Sequence, residues 1–227
     1  MTTEKRANAA IWGDIYSGGR LLWYPYEVAV RIVNYLNREG RLVGRILDHG
    51  CGTGNHLEFF FRLGLDAVGS EVAPAACEIV RNRFGGAKLK APEIVVFDPE
   101  RSLAGQLPRY DHVFAWGSTH YGRRSKVLSD IAELVQGVAA GGSFIFAAPS
   151  MNDVVARHSV RQSDGTYCLV DDVSGQKGAL ISIPHDEEEL RKWCEGVEVE
   201  DIGRFGWTLR GETSEFIFLY GRKSGRS

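Results

Sequence analysis

Between Arg45 and Ser150, short apolar runs alternate with helix-length stretches, and this rhythm constrains the fold more than any other feature of the chain. "RILDHG" reads as a buried strand and "HLEFFFRLG" as a helix. "LDAVGSEV" is a second strand, and "PAACEIVRNRFGG" a second helix that opens on Pro74 and closes on glycines. Strands in "APEIVVFDPE" and "RYDHVFAWG", a helix near 123–139 and a strand in "GGSFIFAAPS" continue the pattern. Strands that alternate with helices pair in parallel, and a parallel sheet is covered by helices on both faces. "IVVF" and "FIFAA" are apolar at consecutive positions, which fits strands buried on both sides. The expected class is α/β, with a Rossmann-like doubly wound sheet.

The flanking segments are read less directly. The polar residues 1–10 predict a frayed terminus. "IWGDIYSGGRLLWYP" places aromatics around Gly18 and Gly19 with no clean period, as a mobile flap would. A helix follows Pro25, with apolar residues at 28, 32, 35 and 36, and Gly40 stops it. Beyond Ser150, two strands are expected near 166–171 and 179–183. "HDEEELRKWCEG" has its acids first and its bases last, which suits a helix dipole. "VEVEDIGRFG" and "TSEFIFLYGRK" predict a closing antiparallel pair at the sheet edge. The chain thus divides into an N-terminal flap and helix (1–40), a cofactor-binding core (41–150), an insert that caps the substrate pocket (151–192), and C-terminal strands that complete the same domain (193–227). With 227 residues, 44% of them hydrophobic and 25% charged, the chain is long enough for one large core and is ordinary globular material.

The loop after the first strand carries the chemistry. Gly50, Gly52 and Gly54 spell G-x-G-x-G at a strand-to-helix junction, where open parallel sheets bind their ligands. A dinucleotide fingerprint needs glycine at 55, where Asn55 stands; a P-loop needs Gly-Lys-Ser/Thr, and the loop has no lysine. Glu71 ends the second strand, where a carboxylate accepts from both hydroxyls of a ribose. Asp98, before Pro99 at the end of the third strand, is either an acceptor for an adenine amino group or a turn residue. Asp48 lies inside the first strand. A carboxylate buried there is costly unless it bonds loop amides or faces a cationic ligand.

In order, "LDHGCGTGN", "VGSEV", "FDP", "YDHVFAWG" and "GGSFIFAAP" resemble the motifs of class I S-adenosylmethionine-dependent methyltransferases, over roughly residues 45–150. "FIFLYGRK" resembles that family's last strand. The resemblance implies a seven-stranded sheet, mostly parallel with an antiparallel last strand and helices on both faces. It implies S-adenosyl-L-methionine as cofactor and S-adenosyl-L-homocysteine as product. Asp48, Gly50, Gly52, Gly54 and Asn55 would line the methionine end, Glu71 and Val72 the ribose, and Asp98 with Phe97 or Pro99 the adenine. Trp116 would border cofactor and acceptor. His49 stands where the family more often has a small or acidic residue. "IWGDIYSGG" and "YPYE" resemble a subset of small bacterial methyltransferases that decorate surface polysaccharides or secondary metabolites. That implies a small-molecule or glycan acceptor, with Tyr16, Arg20 and Tyr24 closing over the cofactor.

Family members that methylate amino groups of bases or glutamine often carry Asn/Asp-Pro-Pro-Tyr after the fourth strand; "WGSTHY" stands here instead. With a formal net charge of -2 and no basic patch, nucleic acid is not an expected partner. His120, just past the fourth strand, is the expected general base for a hydroxyl acceptor, with Tyr121 positioning the substrate. His158 and His185, in the insert, are weaker candidates, and His112 is expected to pack within its strand. Cys51, Cys77, Cys168 and Cys194 have no metal-ligand spacing, so reduced thiols and no metal site are expected. The N-terminus lacks the apolar core of a signal peptide, and no run is long enough to span a membrane, so the expected location is cytoplasmic, as monomer or homodimer. The expected activity is methylation of a hydroxyl. Its rivals are an NAD(P)-dependent oxidoreductase, which Asn55 disfavours, and a cofactor-binding protein without activity.

Overall fold

The computed structural model describes residues 3–225. In chain order its elements are α1 (Thr3–Ser17), α2 (Glu27–Arg38), β1 (Arg45–His49), α3 (Asn55–Arg62), β2 (Asp66–Glu71), α4 (Pro74–Gly86), β3 (Glu93–Val96), β4 (His112–Trp116), α5 (Arg124–Gly137) and β5 (Ser143–Pro149). There follow α6 (Val154–Arg157), β6 (Ser159–Arg161), β7 (Tyr167–Leu169), β8 (Leu180–Ile181), α7 (Glu187–Trp193), β9 (Val197–Leu209) and β10 (Glu212–Lys223). Seven strands form one sheet in the order β3-β2-β1-β4-β5-β10-β9. The first five are parallel, and β10 runs antiparallel to both β5 and β9. The expected seven-stranded, mostly parallel sheet with an antiparallel last strand is therefore the observed one.

Alternation along the central strands shows why both faces need helices. Leu47, Val113, Ala115, Phe144, Phe146, Ile217 and Leu219 pack in one core with Ile131 and Leu134 of α5 and Leu190 and Trp193 of α7. Their neighbours Ile46, Phe114, Trp116, Ile145, Ala147 and Phe218 pack in a second core with α2, α3 and α4, through Val33, Leu36, Leu57, Phe60, Val80 and Phe84. Successive side chains of a strand leave opposite faces, so an all-apolar strand is stable only between two helical layers. β5 is buried at every position. The same reading fails for "IVVF": β3 is the edge strand, and Val96 is half exposed.

Two expectations about the flanks are corrected. Residues 3–10 are not frayed but belong to α1; residues 1 and 2 lie outside the described chain. The reason is a long-range contact. The Asn8 amide donates to the Leu180 carbonyl at 3.0 Å and accepts from the Leu180 N–H at 3.0 Å, as a neighbouring strand would. Ile11 packs against the small core of the insert. The insert itself is a three-stranded sheet, β6-β7-β8. β7 and β8 coincide with the two expected strands; β6 and α6 are additional. At the other end, the closing pair is longer than "VEVEDIGRFG" indicates. β9 continues through Gly206 and Trp207 to Leu209, and a two-residue turn at Arg210 and Gly211, both with positive φ, returns the chain into β10.

Candidate active site

β1 and β4 are neighbours although they are not consecutive, so the strand order reverses between them and leaves a crevice at their carboxyl ends. A cavity of about 490 Å³ occupies that position. Its floor is the glycine loop. Gly50 N–H and Cys51 N–H both donate to the Ser70 carbonyl of β2, at 2.8 and 3.0 Å, which ties the loop to the next strand. Gly50, Gly52 and Gly54 all have positive φ. At Gly50 a side chain is excluded twice, by the backbone conformation and because its Cβ would overlap the Ser118 side chain. A Cβ on Gly52 would lie 2.9 Å from the Tyr16 hydroxyl, and one on Gly54 would press on Val80 at 3.0 Å.

Two carboxylates define the electrostatics. Glu71 lines the cavity, 4% exposed, and accepts from the N–H groups of Gly52, Val72 and Ala73 at 2.9, 2.8 and 3.0 Å. Burial raises its carboxyl above the ordinary range, and the three amides oppose that shift. Asp48 lies beneath the loop, not in the cavity wall. It accepts from the Leu57 N–H in the first turn of α3, a helix that has no side-chain N-cap of its own. Of its two oxygens, Oδ2 has no partner among the described residues. Desolvation, reinforced by the Glu71 charge, pushes the Asp48 carboxyl up to about 8. A diphosphate set on this loop would meet the Glu71 carboxylate, and of the two cations in the described cavity wall, Lys126 is paired with Asp130 and Arg20 donates to the Ser174 carbonyl.

The ring of His49 also lines the cavity. Its Nδ1 lies 2.8 Å from Ser70 Oγ, and it stacks on Phe97 with centroids 5.0 Å apart. Burial first, and Lys126 second, lower its pKa to about 3, so the ring is neutral. Phe97 and Pro99 line the cavity beside it; Asp98 itself is exposed and accepts from Glu100 N–H at 2.8 Å, as a turn residue does.

The segment before α2 is fastened over this floor. Leu22 N–H donates to Thr53 Oγ1 at 3.2 Å, Asn55 Nδ2 to the Tyr24 carbonyl at 3.0 Å, and Tyr26 N–H to His56 Nε2 at 3.4 Å. Arg83 of α4 bonds the Thr53 carbonyl at 2.9 Å and the Leu22 carbonyl at 2.6 Å, and lies over the Trp23 ring. Tyr16, Arg20, Asn55, Glu71, Val72, Trp116, His120 and Tyr121 all reach the cavity, whereas the Tyr24 ring is 85% exposed and only its carbonyl serves the closure. The loop after β4 is held from the insert: Ser182 N–H donates to the His120 carbonyl at 2.8 Å, and the Tyr121 hydroxyl to Gln176 Oε1 at 2.7 Å. His120 is 2% exposed; its Nδ1 has no partner among the described residues, and desolvation lowers its pKa to about 3. His158 pairs with Asp171 and His185 sits by Asp186, both outside the cavity wall, while His112 bonds the Val43 carbonyl and Ser143 N–H within the fold. The sequence reading missed Tyr26, His56, Arg83, Trp207 and Phe216; nothing local marks the last three, since elements far along the chain bring them in.

The crevice, the glycine loop and the acid at the end of β2 define a Rossmann-like nucleoside-binding fold. Residues 47–142 match the family model described as Methyltransferase domain. No curated protein matches the chain. Among solved structures, a SAM-dependent methyltransferase from Anabaena variabilis aligns with a TM-score of 0.67 and 13% identity over 98% of this chain and 96% of its own. The 1,6-didemethyltoxoflavin-N1-methyltransferase of Burkholderia thailandensis, with S-adenosylhomocysteine bound, gives 0.64 and 18% over 99% and 92%. The N-methyltransferase NodS of Bradyrhizobium japonicum, also with S-adenosylhomocysteine, gives 0.62 and 14% over 98% and 99%. Residues 47–142 thus match a methyltransferase domain, and the solved structures share the fold of the whole chain. The residues present fit S-adenosylmethionine: a glycine floor, the buried Glu71 carboxylate at the end of β2, and apolar walls at Phe97 and Pro99.

Proposed function

We propose that this chain methylates a hydroxyl of a small molecule held at the Trp116–Tyr121 end of the cavity, in the cytoplasm. Bound on the loop, S-adenosylmethionine supplies an electrophilic methyl carbon on a positively charged sulfur. The chain's contribution is alignment: reacting atoms held in line near contact distance account for much of the barrier lowering in such a displacement. Glu71 would take the ribose hydroxyls, and the Leu22–Tyr26 segment, fastened by Arg83, would keep water out.

The observation that carries the hydroxyl reading is His120. Its ring lines the cavity, and its Nδ1 is buried with no partner among the described residues, so the imidazole is not committed to the fold. The burial that keeps the imidazole neutral also makes it a weak base. A weak base suffices when the proton leaves late, because an alkylated hydroxyl is a far stronger acid than a free one. Tyr121, fixed by Gln176, orients the acceptor. Asn55 and the acidic floor disfavour the oxidoreductase alternative.

Thermal unfolding with S-adenosylmethionine, S-adenosylhomocysteine and NADH tests the cofactor site. A ligand at 100 times its dissociation constant adds ~2.7 kcal/mol. Both methionine derivatives should shift the melt, and Glu71→Gln, which keeps the side chain's shape, should remove most of the shift. A shift with NADH alone would overturn the reading. A cofactor shift without turnover on any hydroxylated acceptor would leave a binding protein, not an enzyme acting on hydroxyls.

A further inference from the structure

The cavity changes character towards its mouth. Tyr26, Trp207 and Phe216 form a ring wall, with Tyr26 stacked on Trp207 at 5.9 Å and tilted against Phe216 at 6.2 Å. Behind them Phe205 stacks on Phe216 at 5.5 Å and on Trp116 at 5.3 Å, so the wall is backed by further rings and cannot easily fold away. The apolar lining does not stop where the cavity meets solvent. Leu22, Trp207 and Leu209 line it and are still 44%, 46% and 67% exposed. Large apolar groups left open around one cavity mouth mark a binding surface, not scattered surface residues.

The carboxylates and the amide at this end are already engaged. Asp153 accepts from Val155 N–H, Glu215 N–H and the Ser214 hydroxyl, at 2.9, 2.8 and 3.1 Å. Gln176 holds Tyr121, and Glu212 pairs with Arg157 at 3.6 Å. A sugar carries a hydroxyl on nearly every carbon, and buried hydroxyls without partners are costly. This wall supplies chiefly ring faces.

We propose that the methyl acceptor is a flat, predominantly apolar ring system, not a sugar. It lies against the Tyr26–Trp207–Phe216 wall and leaves the cavity past Leu22 and Leu209. This rests on the methyltransferase reading for the role of the ligand, but the apolar site can be tested without the cofactor. Trp207 and Leu209 sit at the exposed tip of the β9–β10 hairpin, so replacing them leaves the core intact.

The test is calorimetric titration of the full chain with 2-naphthol and, separately, with methyl β-glucoside, each with and without saturating S-adenosylhomocysteine. 2-Naphthol should bind and the glucoside should not at the same concentration. The double substitution Trp207→Ser with Leu209→Ser should weaken 2-naphthol at least tenfold and leave the S-adenosylhomocysteine melting shift unchanged. Glucoside binding equal to that of naphthol, naphthol affinity indifferent to the two substitutions, or no naphthol binding at all would each overturn the proposal. Loss of the S-adenosylhomocysteine shift in the unmodified protein would instead strike the cofactor assignment, and the naphthol titrations would still decide the acceptor class.

Discussion

Asp48→Asn isolates the cost of the buried acid under the glycine loop. The side chain is 2% exposed, one oxygen caps α3 through Leu57 N–H, and the other has no partner among the described residues. Its carboxyl rises from an ordinary 3.8 to about 8, mainly through desolvation. Between those values the folded chain holds a proton that the unfolded chain releases. The associated stability is complete below pH 4 and is lost as pH rises towards 8, at ~1.4 kcal/mol per pH unit. Asparagine keeps the acceptor for Leu57 and carries no charge at any pH, so this slope disappears. Its amide also brings donors into a dry site, at a cost of ~1–3 kcal/mol that does not depend on pH. The diagnostic is therefore the trend and not the offset. Urea unfolding at pH 5, 6 and 7 should show the variant gaining on the parent by ~1.4 kcal/mol with each step, about 2.8 in all. Parallel stability curves for the two proteins would refute a protonated Asp48.

Other substitutions probe the neighbouring parts. Gly50→Ala combines a positive φ with overlap on Ser118 and should cost ~3 kcal/mol or more in denaturant unfolding, whereas Gly64→Ala, strained in φ but facing open space, should cost ~1. Arg83→Ala should speed dissociation of S-adenosylhomocysteine and expose the 20–26 segment to proteolysis, while hydrogen exchange in β4 and β5 stays unchanged; equal loosening of the core would contradict a local fastening role. His120→Gln should lower turnover on the true acceptor by ~10²–10³ with little change in cofactor affinity. Because His120 is held near 3, the parent's rate should show no limb near pH 6.5; such a limb that vanished in the variant would mean that the ring titrates normally in the working enzyme.

What the sequence discloses here is what local chemistry decides. Pro74 opens α4, Gly40 closes α2, and the alternation of apolar runs places five parallel strands, because each signal acts within a few residues. β3 is misjudged because a buried strand and an edge strand with the same residues differ only in their neighbours. α1 is missed because Asn8 is satisfied by Leu180, 172 residues away. Arg83, Trp207 and Phe216 escape notice for the same reason. His49, the one feature at odds with the family pattern, is explained by two partners far along the chain, Ser70 of β2 and Phe97 just past β3.

The glycine loop shows why a motif can be read correctly for incomplete reasons. In sequence, three glycines suggest clearance for a ligand. In the fold, each also clears a different neighbour: Gly50 the Ser118 side chain beyond β4, Gly52 the Tyr16 hydroxyl of α1, and Gly54 Val80 of α4. The spacing thus reflects three packing contacts as much as a cofactor, and glycine count alone does not choose between a diphosphate and a sulfonium. Charge makes that choice. Glu71 stands in the wall and both nearby cations are engaged elsewhere, so an anion placed here would be repelled and a cation attracted. An acid on the strand after such a loop is therefore informative because it fixes the sign of the field in which the ligand must sit.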